Sequence, residues 1–453
     1  MHGSNPTGTP TPSPALWSGA AVVDITPPAP VFLFGYPHVP RQSTGVHDPL
    51  ESAAWYVRKG DASALVLACD LIYFSRAFAD DVRTRIAAAT GVPVEGIMLT
   101  ATHTHSGPVM TNNLSNAADA VVPRADPRYL AWLADRLVAV AREAAAAAAP
   151  AELSLGVAHA DGVGSNRHDP SGPTDPEVPV LVARALSTGQ PLACLIIYGM
   201  HPTVLHEDST LITADFPGFT RRWLRGRALP PQCPVLYLQG AAGNQSPRHV
   251  TRANTFAEAQ RIGENLGRAI AQALVGLSPT VVANLSVRRE RVAVVVREFP
   301  DVPAAEAALA ASRARYEALC AERAARQEVR TAECDVFGAE KTAVLARAKA
   351  DGRLAAAVAQ ASPAEIQLLQ IGPWRLVAWP GEFFVEHGLA LKARAPRHTF
   401  LITLANGELQ GYIATPEAVG NGRYEATNAV FAVENGPRFV EATLALIKGE
   451  PQP

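Results

Sequence analysis

The sequence alternates between short apolar runs and longer segments in which apolar residues recur at helical spacing. Apolar runs that are interrupted in this way predict buried, partly parallel strands covered by helices, which is an α/β architecture. We therefore expect layered mixed β-sheets flanked by helices. The predicted strands are residues 20–25, 64–68, 97–101, 153–157, 178–184, 193–198 and 235–238. The predicted helices are residues 77–89, 127–149, 216–227 and 255–274.

Two later regions differ from this alternation. Residues 285–297 alternate as in an antiparallel strand, and residues 366–379 predict a hairpin turned at Gly372-Pro373. Residues 303–361 are dense in Ala, Glu, Arg and Lys, which predicts a helical hairpin, either a structural pair or a lid or dimer contact. We expect a disordered leader at 1–16 and one catalytic domain at 17–450 with this helical insertion.

Composition excludes several functions. The net charge of −2 and the lack of a Lys/Arg run argue against nucleic acid as a partner. No segment approaches the ~20 apolar residues that a transmembrane helix needs. The five cysteines are widely spaced, which is typical of reduced thiols, and no signal peptide is visible, so a cytoplasmic location is expected. The surface composition is compatible with a monomer or a homo-oligomer.

Two histidines follow a predicted strand within the segment Thr102–Pro108. His103 and His105 would point to opposite sides of an extended chain, and they could share one cavity only where the chain turns. The ends of strands are where α/β sheets place their ligands. A metal site is one interpretation of this pair, and two hydrogen-bonded loop histidines are the other.

Other strand ends carry further polar residues. His201 follows an apolar run, Asp215 is expected to cap the next helix, and residues 240–247 form a loop of small residues whose N–H groups could hold an oxyanion. Glu382 follows a later strand, and the loop Gly407–Tyr412 follows another. Two histidines and one carboxylate would suit a catalytic zinc with open positions for water or substrate.

Several motifs resemble the neutral, non-lysosomal ceramidase family. They are Val23–Pro28, Gly35-Tyr36, Gly45–Pro49 and, most specifically, Thr102–Pro108. The resemblance runs from about Gly19 to about Thr443 and implies a neutral-ceramidase-like catalytic core. It also implies a zinc-dependent amide hydrolase that acts on an N-acyl substrate through metal-activated water, which would place the chain in lipid metabolism.

The resemblance also implies roles for individual residues. The implied ligands of one Zn²⁺ ion are His103, His201, Glu382 and Tyr412. The implied catalytic residues are His105, which would interact with substrate or water, and Ser246, Arg167 and Tyr424. Ser246 would act either as a nucleophile or as a positioning group.

The sequence departs from the family pattern at several points. Gly243-Asn244 replaces a Gly-Asp pair, and Arg248 follows Ser-Pro where the family usually has Asn. The C-terminal β-sandwich domain of ceramide-cleaving members is not expected in a chain that ends at Pro453. The substrate could therefore be ceramide-like or a smaller N-acyl amide. The alternatives are an esterase, lactonase or peptidase on the same centre, or a non-catalytic lipid- or metal-binding relative.

Overall fold

The computed structural model describes residues 15–449, so most of the predicted leader lies outside the described residues. Its strands are β1 Leu16–Asp24, β2 Leu33–Phe34, β3 Gly45–Val46, β4 Glu51–Lys59, β5 Ala62–Cys69, β6 Ile97–Ala101, β7 Gly107–Pro108, β8 Ala149–His159, β9 Ser165–Asn166, β10 Glu177–Ala185, β11 Pro191–Tyr198, β12 Leu211–Ile212, β13 Val235–Gln239, β14 Gln245–Ser246, β15 Leu285–Val292, β16 Ala364–Ile371, β17 Trp374–Ala378, β18 Glu382–Phe383, β19 Thr399–Ile402 and β20 Tyr412–Ile413. Its helices are α1 Arg76–Thr90, α2 Pro127–Ala146, α3 Asp215–Arg227, α4 Phe256–Leu274, α5 Val302–Ala321, α6 Arg326–Ala350, α7 Arg353–Ala361, α8 Val385–Arg394, α9 Pro416–Gly420, α10 Tyr424–Asn428 and α11 Asn435–Lys448.

A large mixed sheet forms the centre of the molecule, with strand order β13-β11-β10-β8-β1-β4-β5-β6. The pairs β11/β13 and β5/β6 are parallel, whereas the pairs between them are antiparallel. A second sheet has the order β15-β16-β17-β19, with β17 parallel to β19. The expected mixed, partly parallel architecture is confirmed.

Both faces of the large sheet are buried, because its strands carry apolar side chains at successive positions. In β4, Tyr56 packs toward α1 and α2, whereas Trp55 points to the opposite face and packs against the second sheet. In β10, Val180 and Val182 pack against α3 and α4. A strand alternates sides at each residue, so a continuous apolar run requires cover on both sides.

The second sheet is covered in turn by helices on its outer face. Val377 packs there with Phe439 of α11 and Leu345 of α6, while Trp374 on the other side of β17 packs into the interface between the sheets. The layers are therefore helices, large sheet, small sheet and helices. This arrangement brings strand ends from both sheets close together.

The predicted elements are mostly confirmed. β6 has the predicted bounds, and β16 and β17 form the predicted hairpin around Gly372-Pro373. The region predicted as a helical hairpin contains three helices, α5, α6 and α7. Residues 147–149 were predicted as helix, but α2 ends at Ala146 and β8 begins at Ala149.

The expected free thiols agree with the structure. All five cysteines are free, and Cys69 and Cys194 are buried within the strands β5 and β11. Among residues 15–449, no helix combines the length and the apolar character needed to cross a bilayer.

Candidate metal centre and active site

Three histidines from two strand ends meet in one buried cluster. His103 and His105 lie in the loop after β6, and His201 lies in the loop after β11. The backbone of His103 has a φ of 73°, in the left-handed region that non-glycine residues rarely adopt. This turn brings the side chains of His103 and His105 together, as the sequence argument required.

A carboxylate from the two-stranded sheet of β18 and β20 completes the cluster. Glu382 begins β18, and its Oε2 lies 3.2 Å from His103 Nε2 and 3.1 Å from His201 Nε2. The two Nε2 atoms are 3.1 Å apart, and His105 Nε2 is 3.4 Å from His103 Nε2. His103 and His201 are each only 1% exposed, so water is largely excluded from these contacts.

Each imidazole is oriented by a main-chain carbonyl at its Nδ1 atom. A carbonyl oxygen can only accept a hydrogen bond, so Nδ1 carries the hydrogen and Nε2 of a neutral ring presents a lone pair. The carbonyl partners of His103, His201 and His105 are those of Ile72 at 2.8 Å, Ala242 at 2.7 Å and Gly35 at 3.1 Å. Such anchoring of the distal nitrogen is typical of metal-ligating histidines.

The ionisation of the cluster favours a cation at its centre. Burial, followed by the charge of Arg167, lowers the pKa of His201 to about 4. Burial alone would raise the pKa of Glu382, but contacts with His103 and His201 outweigh burial and hold that pKa well below its usual range. A deprotonated carboxylate and a neutral imidazole are the forms that bind metals.

The donor set therefore fits a zinc ion. Lone pairs that point at one another repel unless positive charge lies among them, and a single cation can satisfy all of them together. Zinc with ligands at about 2.0–2.2 Å in tetrahedral geometry places its donor atoms about 3.3–3.5 Å apart. The observed separations of 3.1–3.4 Å lie close to that range. His103, His105 and His201 are close enough together that His105 could also be a ligand.

Tyr412 stands beside the carboxylate. β18 and β20 are parallel, and Tyr412 is the direct register partner of Glu382. Its ring centroid lies 6.5 Å from that of His201. Burial, followed by the negative charge of Glu382, raises the pKa of the Tyr412 phenol well above its usual value. The structure thus brings all four predicted ligand residues to one place.

Arg167 places its guanidinium against the Tyr412 ring. Its guanidinium carbon is 5.2 Å from the centroid of the Tyr412 ring, and its Nε is 2.6 Å from Glu425 Oε1. Burial by itself would lower the pKa of Arg167, but Glu425 and Tyr412 outweigh it and raise the pKa. Arg167 also donates to the carbonyl of Gly243. Arg167, which was predicted to contact the substrate, therefore already forms an ion pair with Glu425.

Tyr424 begins the short helix α10, immediately before Glu425. Burial raises the pKa of its phenol, which keeps the hydroxyl protonated at neutral pH. The charge of Glu425 raises this pKa further, whereas the charge of Arg167 lowers it. Its position next to the Arg167–Glu425 pair puts Tyr424 on the same side of the site as Arg167.

Ser246 is buried, and its hydroxyl does not have the contacts of an activated nucleophile. Its Oγ accepts a hydrogen bond from Arg248 N at 3.3 Å, and among the described residues no hydrogen bond joins this Oγ to a histidine. The preceding residue, Gln245, has a carbonyl that accepts from His201 N at 3.2 Å. Ser246 therefore lies in the segment that positions His201.

The structure occupies some N–H groups of the loop 240–247, and it corrects the expected capping role of Asp215. The N–H groups of Gly240 and Gly243 already donate to Tyr198 O and Phe383 O, so neither is free to hold an oxyanion. Gly243 is required for close approach, because a Cβ there would lie 2.9 Å from Phe383 O. Asp215 is the first residue of α3 rather than its cap, and its carboxylate accepts from Leu205 N at 2.9 Å and from Phe216 N.

Sequence reasoning missed two charged residues near the centre. Glu408 lies in the loop Gly407–Tyr412 that was singled out, and its buried Oε2 has no hydrogen-bond partner. Burial, followed by the charge of Glu382, raises the pKa of Glu408 well above its usual value. The second residue is Lys341 of α6, whose pKa is lowered by burial and raised by the charge of Glu382. An isolated lysine in an Ala-rich helix gave no signal of this position.

Comparisons with known proteins agree with this fold. Residues 17–224 match the family described as "Neutral/alkaline non-lysosomal ceramidase, N-terminal". The resemblance to this ceramidase family is confirmed. The chain is 27% identical over 224 residues to the neutral ceramidase of Mycobacterium tuberculosis, and the match covers 44% of this chain and 34% of that protein. The chain thus matches about a third of the length of that curated relative.

Solved ceramidase structures share the fold over nearly the whole chain. The neutral ceramidase of Pseudomonas aeruginosa matches with a TM-score of 0.74 and 20% identity, covering 97% of this chain and 76% of that one. A structure described as ceramidase complexed with C2 matches with a TM-score of 0.72 and 18% identity over the same shares of the two chains. The family match contains the three histidines and Arg167, whereas Glu382, Tyr412 and Tyr424 lie beyond it.

Proposed function

We propose that the chain is a zinc-dependent hydrolase that cleaves the amide bond of an N-acyl substrate. The observation that carries this proposal is the convergence of two anchored imidazoles and one carboxylate within 3.2 Å of one another, beside Tyr412. The ligands would be His103, His201, Glu382 and Tyr412. A zinc ion held there would lower the pKa of bound water toward ~7 and polarise the scissile carbonyl.

His105 is the residue we assign to proton transfer. Its Nδ1 is held by Gly35 O at 3.1 Å, so its Nε2 is the atom that can take a proton from water and return it to the leaving amine. Burial, followed by the neighbouring His103 and His201, lowers the pKa of His105 well below its usual value. The neutral ring required of a general base is therefore present at pH 7.

Tyr424 and Arg167 are assigned to the substrate carbonyl. Tyr424 keeps its hydroxyl proton and can donate to an oxygen that gains charge, while Arg167 supplies a fixed positive charge beside Tyr412. Removing one donor of this kind typically costs about 3–4 kcal/mol of transition-state stabilisation. Ser246 is assigned to positioning, because its Oγ contacts the backbone of Arg248 rather than a base.

The test is hydrolysis of matched acyl compounds by zinc-loaded protein. N-acyl amides, the corresponding esters and short peptides are incubated with the enzyme, and released amine and acid are measured by chromatography. We expect amide hydrolysis that is lost on chelation and restored by zinc. Cleavage of esters alone would replace the amidase assignment, and stoichiometric zinc without any hydrolysis would show a non-catalytic relative.

A further inference from the structure

The helix α6 packs between two segments that flank the candidate metal centre. On one side it contacts the loop that positions His105: Glu340 Oε1 is 2.7 Å from His38 Nε2, and the ring centroids of Phe337 and His38 are 5.3 Å apart. His38 follows Gly35, whose carbonyl holds His105. The helix is therefore tied to the histidine side of the site.

On its other side α6 contacts α10, which carries Tyr424 and Glu425. Gly338 packs so closely there that a Cβ would lie 2.2 Å from Thr427 Oγ1. Phe337, Gly338 and Lys341 lie on one face of α6, because residues three and four apart on a helix are neighbours. The face of α6 that includes Lys341 is therefore turned toward the active site.

Lys341 is the residue of this face that has no counter-ion. Its side chain is half-buried, and within residues 15–449 its ammonium forms neither an ion pair nor a hydrogen bond. The charged groups that face it are Glu382, Asp119 and Glu340. Glu340 is already paired with His38 at 2.7 Å, and Asp119 accepts the backbone N–H of His38 at 2.8 Å.

Several other cations near the site have a carboxylate partner or, like Arg41 and Arg297, donate hydrogen bonds to backbone and hydroxyl oxygens. Arg167 is paired with Glu425 at 2.6 Å, and Arg330, earlier on α6, is paired with Glu333 at 2.6 Å. Lys392, which lines a surface cavity elsewhere, is 2.6 Å from Glu177. Burial lowers the pKa of Lys341 to about 8, so its ammonium remains mostly charged at neutral pH. Desolvation of this charge is unfavourable, and in the part of the chain that the structure describes no carboxylate in contact with the ammonium offsets it.

We propose that Lys341 binds a carboxylate of the substrate, so that the enzyme prefers N-acyl amides bearing a carboxylate, such as N-acyl amino acids, to neutral ceramide-like amides. This inference rests on the proposed function and names its substrate class. A carboxylate beside Lys341 would supply the counter-charge that the protein itself leaves out, and a charge-assisted hydrogen bond in a partly desolvated site is among the stronger polar contacts.

The test compares substrates that differ mainly in charge. We would measure kcat/KM for N-octanoylglycine and N-octanoylethanolamine with the wild type, Lys341→Met, Lys341→Arg and the control Lys349→Met, which changes an exposed lysine of the same helix. We expect the wild type to prefer the acid by about tenfold or more, which is the effect of one charge-assisted contact. Lys341→Met should lose that preference with little change for the neutral amide, and Lys341→Arg should keep part of it.

Two results would overturn the inference. They are equal rates of the wild type on the two substrates, and an equal loss on both in Lys341→Met, which would make Lys341 a general acid or a structural residue. To separate this inference from the proposed function, binding of N-(octylsulfonyl)glycine and N-(octylsulfonyl)ethanolamine, which the enzyme cannot hydrolyse as amides, would be measured by calorimetry. A preference for the acid that depends on Lys341 supports the inference even if no amide is cleaved, and its absence overturns it.

Discussion

The ion pair between Arg167 and Glu425 gives a prediction whose magnitude follows from the structure. Glu425 is 3% exposed, and its two carboxylate oxygens each lie 2.6 Å from a nitrogen, of Arg167 and of His168. Glu425→Gln removes the negative charge but keeps the shape. It leaves the Arg167 guanidinium buried without a counter-ion beside Tyr412.

The expected loss is about 3 kcal/mol of unfolding free energy. Burial alone would raise the pKa of Glu425, but Arg167 and His168 outweigh burial and lower it from 4.5 to about 2. A change of one in pKa corresponds to about 1.4 kcal/mol, so this lowering corresponds to about 3 kcal/mol. Removing one partner of a buried ion pair typically costs about 3–5 kcal/mol, which agrees.

Urea unfolding at pH 7, followed by circular dichroism, measures the loss. The matched control is Glu441→Gln, which breaks an Arg–Glu pair of similar geometry with Arg394 on the surface and should change stability little. Because the folded-state pKa of Glu425 lies below its unfolded value, the carboxylate stabilises the protein above pH 4.5. The difference between the wild type and Glu425→Gln should therefore shrink as the pH falls from 4.5 toward 2. Equal losses in the two variants would refute the reasoning.

Three further predictions concern the histidines, the helix α6 and a buried ion pair. His105→Ala should retain zinc in elemental analysis yet lower turnover by about 10²–10⁴-fold, and loss of the metal would make His105 a ligand instead. Gly338→Ala should destabilise the protein in thermal unfolding because its Cβ has no room, whereas Gly226→Ala, where a Cβ meets nothing within 4 Å, should be neutral or stabilising. Asp70→Asn should cost up to about 3–5 kcal/mol in urea unfolding, since it removes the carboxylate that contacts both terminal nitrogens of the buried Arg221 and leaves it only Glu51 at 3.5 Å, and a loss below 1 kcal/mol would contradict the pairing.

Strands and helices with strong periodicity could be predicted from the sequence. β6 was predicted with its observed bounds, because five buried residues follow one another and a polar loop ends the run. β4 was missed, since its charged ends and central Ala residues gave no clear alternation. The predominance of antiparallel pairs in the large sheet could not be predicted, because pairing depends on contacts between strands that are distant in the sequence.

The site could be predicted only in part. His103 and His105 were found from their position after a strand, but the turn at His103 that brings them together is a backbone feature that residue type does not favour. Tyr412 was found only through the family resemblance, since a phenol has no characteristic spacing from a metal-binding carboxylate. Lys341 could not be found, because its relation to the site depends on how α6 packs across the molecule.

The central claim is that His103, His201, Glu382 and Tyr412 hold one divalent cation. Its most direct test is the metal content of purified protein, measured by inductively coupled plasma mass spectrometry for the wild type, His201→Ala and a control variant, His159→Ala, which changes an exposed histidine at the end of β8. We predict about one zinc ion per chain in the wild type and the control, and none in His201→Ala. Equal zinc in all three proteins, or no metal in any of them after loading, would contradict the account.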